Sequence, residues 1–274
     1  MVFPADDAFA RDIATAAGQR LLKIREQGAD PKEGTGGAGG RSLASHTDGL
    51  RKAGDLGAQE FLAAELTRMR PGDAVLSEEA ADDLARLKAD RVWIIDPLDG
   101  TREFGEPPRV DWAVHVALWE KGELTAGAVA LPAQGKTLST AEPPPTPPAL
   151  ADGARIRLVV SRSRPPEFVT RLAEHLDAEL VPLGSAGAKA SAVITGDVDA
   201  YVHAGGQYEW DNAAPVAVAR AAGLHASRID GSELAYNSEK PWMPDILICP
   251  VSLASTLLSA ISEVAISAVQ QAGQ

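Results

Sequence analysis

Between Val92 and Phe104 the chain combines two properties that few folds accommodate together. Val92-Trp93-Ile94-Ile95 is an apolar run of strand type, and it leads directly into Asp96-Pro97-Leu98-Asp99-Gly100-Thr101. Pro97 disfavours helical backbone at the residue before it, so the strand is expected to reach Asp96 and to project its carboxylate from the carboxyl end of a sheet. In a tight turn, the spacing to Asp99 lets both carboxylates and the Leu98 carbonyl converge, an all-oxygen donor set suited to Mg²⁺ or Mn²⁺. Gly100 leaves its backbone open to close approach, and the Gly100 and Thr101 amides are placed to receive an anion. The same string also describes an ordinary solvated turn, so its meaning depends on the rest of the chain.

That rest allows a sizeable core. The 274 residues suit one large domain or two sharing an interface. We expect a boundary near residue 150, with an N-terminal unit over 1–150 and a C-terminal unit over 151–274. With 45% hydrophobic but only 5% aromatic residues, the core must be largely aliphatic. A net charge of −12 argues against nucleic acid or an anionic membrane as partner. The single cysteine, Cys249, excludes an intrachain disulfide and any multi-cysteine metal site, and reads as a small buried hydrophobe. No apolar signal core and no run of membrane-spanning length is present, which predicts a cytoplasmic protein.

Apolar spacing predicts a helix over Phe9 to Arg25 and a second over Ala53 to Arg68, the latter burying Leu56, Phe61, Leu62 and Leu66. The glycine-rich stretch from Gly34 to Gly40 reads as a loop, either idle or a lid. The charged stretch Asp82 to Arg91 reads as a solvated helix or loop. Past the central strand, Asp111 to Trp119, Glu123 to Leu131 and Gln134 to Ser139 predict a meander, so this half reads as α+β. The proline-rich segment from Glu142 to Pro148 reads as an exposed connection. Thereafter strands (Ile156 to Val160, Glu179 to Leu183, Val198 to His203, Ile246 to Ile248) alternate with helices (Pro165 to Leu176, Ala186 to Thr195, Asp211 to Ala222, Val251 to Gln270). Such alternation describes a three-layer α/β unit.

Further polar clusters punctuate this pattern. Ser77-Glu78-Glu79 follows a short apolar run, Asp55 lies near the expected start of the second helix, and Asp211 sits where an N-cap belongs. Gly184-Ser185 opens another helix with Lys189 in its first turn, where the dipole disfavours a cation and a partner anion would explain it.

Ser77-Glu78-Glu79, Asp96-Pro97-Leu98-Asp99-Gly100-Thr101 and Trp210-Asp211-x-Ala213-Ala214, in that order and at these separations, resemble the inositol monophosphatase superfamily of Mg²⁺-dependent, Li⁺-sensitive phosphatases. The resemblance runs from about residue 10 to 265. It implies a layered α-β-α-β-α sandwich. It also implies that Glu78, Asp96 and the Leu98 carbonyl hold one Mg²⁺, and that Asp96, Asp99 and Asp211 hold a second, with a third or a Mn²⁺ substitution open. Thr101 with Asp55 or Glu79 would orient and deprotonate the attacking water, while the Gly100 and Thr101 amides cradle phosphate. Where the family usually reads Val-Thr-x-Ala-Asp, this chain has Arg51-Lys52-Ala53-Gly54-Asp55, which leaves the local backbone open.

Within the superfamily, Thr101-Arg102-Glu103-Phe104 and Gly184-Ser185 followed by Lys189 are similar to the CysQ-type phosphatases of 3′-phosphoadenosine 5′-phosphate. The implied substrate is therefore a small phosphate, adenosine 3′,5′-bisphosphate or its sulfated form, in sulfate assimilation. Gly184, Ser185, Lys189 and a turn over Ala204 to Tyr208 are the expected substrate contacts. Inositol phosphates, fructose bisphosphate, and a non-catalytic nucleotide-binding regulator are the alternatives. The family commonly dimerises, which implies a homodimer.

Overall fold

The computed structural model describes residues 5–28 and 43–272, so the expected Gly34 to Gly40 loop lies outside the described residues. Two helices open the chain, α1 (Asp6–Gly28) and α2 (Leu43–Met69). The first sheet follows: β1 (Ala74–Ser77), β2 (Arg91–Asp99), β3 (Ala113–Glu120), β4 (Glu123–Leu131) and β5 (Lys136–Ser139), in spatial order β1-β2-β3-β4-β5. Only the β1–β2 pair is parallel. A short helix, α3 (Thr101–Phe104), leaves the end of β2.

The second half alternates as expected: β6 (Arg157–Ser161), α4 (Glu167–Leu176), β7 (Glu179–Leu183), α5 (Ala186–Ile194), β8 (Ala200–Tyr208), α6 (Glu209–Ala221), β9 (Leu224–Ser227), β10 (Trp242–Pro250) and α7 (Val251–Ala272). Its sheet runs β7-β6-β8-β10-β9.

Side-chain alternation along β2 explains the stacking. Trp93 and Ile95 point to one face, where they pack with Phe9, Leu21, Leu62 and Leu66 of α1 and α2. Val92 and Ile94 point to the other, where α5 and α6 are held between the sheets through Ala188, Val193, Ala213 and Val216, with Val159, Tyr201 and Ile246 opposite. Beyond the second sheet, α4 and α7 close it with Val169, Leu172, Leu257 and Ile261. The result is the layered α-β-α-β-α sandwich. Both sheets are covered on both faces, so their strands read as continuous apolar runs. Cys249 is buried in the outer core, as expected.

Several boundaries differ from the sequence expectation. Helix α2 starts ten residues earlier than Ala53, and Gly54 and Gly57 within it serve packing rather than termination. A Cβ on Gly54 would lie 2.7 Å from Phe104 and 2.9 Å from Leu98, and one on Gly57 would lie 2.6 Å from Ile24. The buried stripe is Leu50, Gly54, Ala58, Leu62 and Leu66, and Leu56 is 55% exposed, contrary to its expected burial. In the charged stretch, Arg86 is buried in a 3₁₀ turn, Leu84–Lys88, where its guanidinium donates to Asp82, to Asn237 Oδ1 at 2.7 Å and to the Ser238 carbonyl at 2.9 Å.

Strand β8 continues to Tyr208 instead of turning at Ala204, because Gly205 and Gly206 take positive φ values and keep the pairing to β10 across an irregularity. Helix α6 begins at Glu209, so Asp211 is its third residue and not its N-cap.

Candidate active site

Strand β2 does not end at Asp96. It runs through Pro97 to Asp99, with the pairing to β3 shifting between Asp96 and Asp99. That irregularity bends the strand end so that two carboxylates three residues apart can serve one centre. The Asp96 carboxylate accepts from the Leu98 amide at 3.0 Å, fixing the turn from within. Gly100 follows at φ 85°, a left-handed conformation open to glycine, and its Cα lies against Ser185 and the backbone of Asp111 and Trp112.

The acids arrive from four places. Parallel pairing of Ser77 with Ile95 carries β1 alongside β2, and the Glu78 amide donates to the Ile95 carbonyl at 3.4 Å, so Glu78 leaves the sheet beside Asp96. Close packing at Gly54 brings α2 onto β2 and α3, which sets Asp55 Oδ1 3.2 Å from Thr101 Oγ1. The same hydroxyl lies 3.1 Å from the Leu98 carbonyl. Asp211, in the first turn of α6, accepts from the Tyr208 amide at 2.6 Å. Ligand oxygens of Asp96, Asp99 and Asp211 all lie within 4.8 Å of one another. Glu79 is exposed at the rim, its amide 3.3 Å from Ser77 Oγ.

Protonation of these groups follows from crowding. Complete burial raises Asp96 well above the usual carboxylate range, and the charges of Glu78 and Asp99 add to it. Glu78, open to water on one side and crowded by protein on the other, is pushed up to about 7 by that desolvation and by Asp211. Burial and the charge of Asp99 raise Asp211 to about 6. Burial and Glu79 raise Asp55 to about 6. Asp99 behaves oppositely. Burial acts against its charge, yet His115 and Ser185 hold it down to about 2.

The cause is visible in its partners. Ser185 Oγ donates to Asp99, the Ala186 and Gly187 amides donate to it at 3.1 and 2.6 Å, and His115 Nε2 lies 3.2 Å away. Helix α5 is thus seated with its N-terminus on this carboxylate. Carboxyls packed this closely with raised pKa values form an anionic pocket whose deficit is cationic charge, and hard oxygen donors suit a divalent cation such as Mg²⁺. The residues present fit the metal.

Other expected residues fall around this centre. Ser185 has φ 51° and caps α5, its Oγ accepting from the Ala188 amide at 3.0 Å. The Gly184 amide donates to Asp111 Oδ2 at 2.6 Å, and its Cα lies so close to Glu103 that a Cβ would come within 2.3 Å. Lys189 is buried. Its ammonium donates to the Ser185 carbonyl at 2.5 Å and approaches that of Gly184 at 3.4 Å, so it supports the turn from behind instead of presenting its charge to solvent.

Two residues that hold the geometry of this centre, His115 and Asp111, were not singled out in the sequence, and Glu103 was quoted only as part of the Thr101 to Phe104 string. His115 had a signal, a lone imidazole in the otherwise apolar run Ala113 to Leu118. It is fully buried, with Nδ1 3.0 Å from the Trp210 carbonyl.

Comparison with known proteins agrees with this geometry. The sequence profile described as the Inositol monophosphatase family matches residues 6–271. A 3′-phosphoadenosine 5′-phosphate phosphatase of Mycobacterium leprae is 49% identical over 271 residues, covering 94% of each chain. The protein of the same name from Mycobacterium tuberculosis is 55% identical over 221 residues, or 78% of this chain and 82% of its own. Among solved structures, CysQ from Bacteroides thetaiotaomicron superposes with a TM-score of 0.73 at 27% identity, covering 89% of this chain and 97% of the other. A profile match over nearly the whole length, and a layered fold whose β2 turn gathers acids from β1, α2 and α6, lead to one assignment: the chain belongs to the inositol monophosphatase family.

Proposed function

We propose that this protein is a Mg²⁺-dependent phosphomonoesterase that removes the 3′-phosphate of adenosine 3′,5′-bisphosphate, and acts also on its sulfated form. The observation that carries the reading is the convergence of Asp96, Asp99 and Asp211 within 4.8 Å, with the Thr101–Asp55 pair beside them. The nucleotide is supported by the relatives named as phosphatases of that compound. A role in sulfate assimilation, a cytoplasmic location and a homodimeric state accompany it as family properties.

Glu78, Asp96 and the Leu98 carbonyl would hold one cation, and Asp96, Asp99 and Asp211 another. Bound there, a divalent cation neutralises phosphate charge and brings the pKa of a water toward neutrality. The protein's own groups do the rest. Thr101 Oγ1 has one proton and two acceptors, Asp55 and the Leu98 carbonyl, so its lone pairs remain to orient a water. Asp55, raised to about 6, is a base close to the operating pH and takes the proton through that hydroxyl. The amides of Gly100 and Thr101, at the start of α3, receive phosphate oxygens. The turn at Gly184 and Ser185, held by Asp111 and Lys189, borders the leaving group.

Phosphate release in Mg²⁺ from adenosine 3′,5′-bisphosphate, inositol 1-phosphate and fructose 1,6-bisphosphate, measured in parallel, tests this. A preference of about a hundredfold in kcat/KM for the nucleotide, roughly 2.7 kcal/mol, is expected. Equal or faster turnover of the sugar phosphates overturns the substrate. No release from any of the three favours a nucleotide-binding regulator.

A further inference from the structure

The end of β8, the start of α6 and the start of β10 hold three aromatic rings that the catalytic centre does not use. Tyr208 and Trp210 are stacked, with centroids 4.6 Å apart and planes 7° from parallel. Trp242, paired with Tyr208 across the two strands, meets it edge-on at 5.4 Å and 82°. Trp210 is partly buried against the central core, whereas Tyr208 is 44% exposed and Trp242 is 51% exposed.

The backbone is shaped to seat the outer ring. Gly206 has φ 91°, and a Cβ there would fall 1.8 Å from Trp242 Cζ2 and 1.9 Å from Cη2, so the indole lies directly on the chain where no side chain fits. The His203 ring is 3.0 Å from the Gly206 carbonyl and so braces this segment. A glycine pair and a strand irregularity are used to hold a large ring that stays half in water. Burial alone does not account for that arrangement, since Tyr208 and Trp242 belong to none of the three core clusters.

Position supplies the function. The Tyr208 amide is bonded to Asp211, and the Trp210 carbonyl to His115, which in turn faces Asp99. The rings are therefore fixed to the same few residues that place the acids. We infer that the exposed face of Trp242, walled at right angles by Tyr208, forms a shelf on which the purine base of the substrate stacks while its 3′-phosphate occupies the acidic centre. A flat, uncharged heteroaromatic ring is the ligand class that exposed tyrosine and tryptophan faces hold, and inositol and fructose phosphates carry none. This inference rests on the nucleotide reading above and identifies the part of the protein that selects the base.

The test compares Trp242→Ala, Tyr208→Ala and Trp242→Phe with wild type. The ratio of kcat/KM for adenosine 3′,5′-bisphosphate to that for inositol 1-phosphate is expected to fall about tenfold or more in the alanine variants, mainly through KM for the nucleotide, and to recover in Trp242→Phe. Saturation-transfer NMR with adenosine 5′-monophosphate and Mg²⁺ supplies a readout independent of turnover. Ring-to-adenine transfer at H2 and H8 is expected in wild type and Trp242→Phe, and its loss is expected in Trp242→Ala.

An unchanged substrate ratio with transfer intact in Trp242→Ala overturns the shelf, and does so even if wild type hydrolyses the nucleotide well. A shift in sedimentation without change in the ratio also overturns it, making the rings a contact between copies of the chain. If wild type prefers sugar phosphates yet adenine transfer is seen and lost with Trp242, the substrate assignment fails and the shelf stands.

Discussion

His115 Nε2 lies 3.2 Å from Asp99 Oδ2, inside a core where the imidazole is completely enclosed. Burial opposes a charge on the ring, but the facing carboxylate raises the His115 pKa and His115 lowers that of Asp99. The pair joins β3 to the end of β2, and through Nδ1 it reaches the Trp210 carbonyl at the start of α6. One side chain thus fixes an acid of the first sheet relative to Asp211, which follows β8 of the second.

The imidazole fits only because residue 187 is glycine. A Cβ there would stand 2.0 Å from His115 Nε2 and 3.1 Å from Ala113 Cβ. Gly187→Ala must push the ring or α5 away, which overpacking in a full core makes destabilising by about 1–3 kcal/mol. A depressed melting temperature with a larger loss of kcat than of substrate affinity is expected, and a variant with wild-type melting and turnover contradicts the packing described.

Asp96 belongs to both proposed cation sites, so Asp96→Asn is expected to lower turnover by at least about a hundredfold. In metal-free protein the effect on stability should be opposite or absent, since the wild-type group is already driven toward its neutral form. Near-normal hydrolysis by Asp96→Asn would remove the two-site assignment.

Acid crowding also sets a pH dependence. Glu78 at about 7, and Asp211 and Asp55 at about 6, are raised above their unfolded values, so the native metal-free state binds more protons than the unfolded chain. Their contribution is fully present below about pH 4 and is lost as pH rises through 6 to 7. Metal-free melting temperature should therefore fall across that window, while the increment produced by Mg²⁺ grows. Thermal melts at pH 5.5, 6.5 and 7.5 with and without Mg²⁺ would show it, and a Mg²⁺ increment independent of pH argues against competition between protons and metal.

Arg86 tests a separate part of the fold. It is 1% exposed, with a two-pronged contact to Asp82 at 2.7 and 2.9 Å and further bonds to Asn237 and Ser238. Glu209 accepts from the amides of those same two residues, so the network leads to the start of α6. Asp82 lies at the surface end of this pair, so the main cost of removing the guanidinium is the enclosed Asn237 Oδ1 and Ser238 carbonyl left without a donor, about 1–3 kcal/mol, and the planar fork is not reproduced by an ammonium. Denaturant melts of Arg86→Ala and Arg86→Lys should both shift strongly, and a stable Lys variant would show that charge alone suffices.

The central turn was legible because its chemistry is local: an apolar strand, two aspartates, a glycine and a threonine are contiguous. The three-layer second half was legible for a similar reason, as strand and helix periods alternate cleanly after Ile156, whereas the five-layer sandwich came only from the family resemblance. What stayed hidden depends on contacts distant in sequence. Gly54 and Gly57 look like helix breakers until Phe104, Leu98 and Ile24 are seen against them. Arg86 looks solvated until Asn237 arrives. Gly205 and Gly206 suggest a turn, yet β10 pairs across them. Lys189 looks like an anion contact by its place in the helix, while its ammonium is turned back to the carbonyls of Gly184 and Ser185.

The division of the acids between two sheets has a consequence for synthesis. A nascent chain that has emerged as far as the proline-rich segment already carries Asp55, Glu78, Asp96 and Asp99, but Asp211 and the helix that seats Asp99 have yet to emerge. Competence to hold metal therefore waits for α5 and α6, which lie between the two sheets. A truncated product ending before Tyr208 is expected to be an inert collection of like charges, unable to sequester Mg²⁺ or to release phosphate.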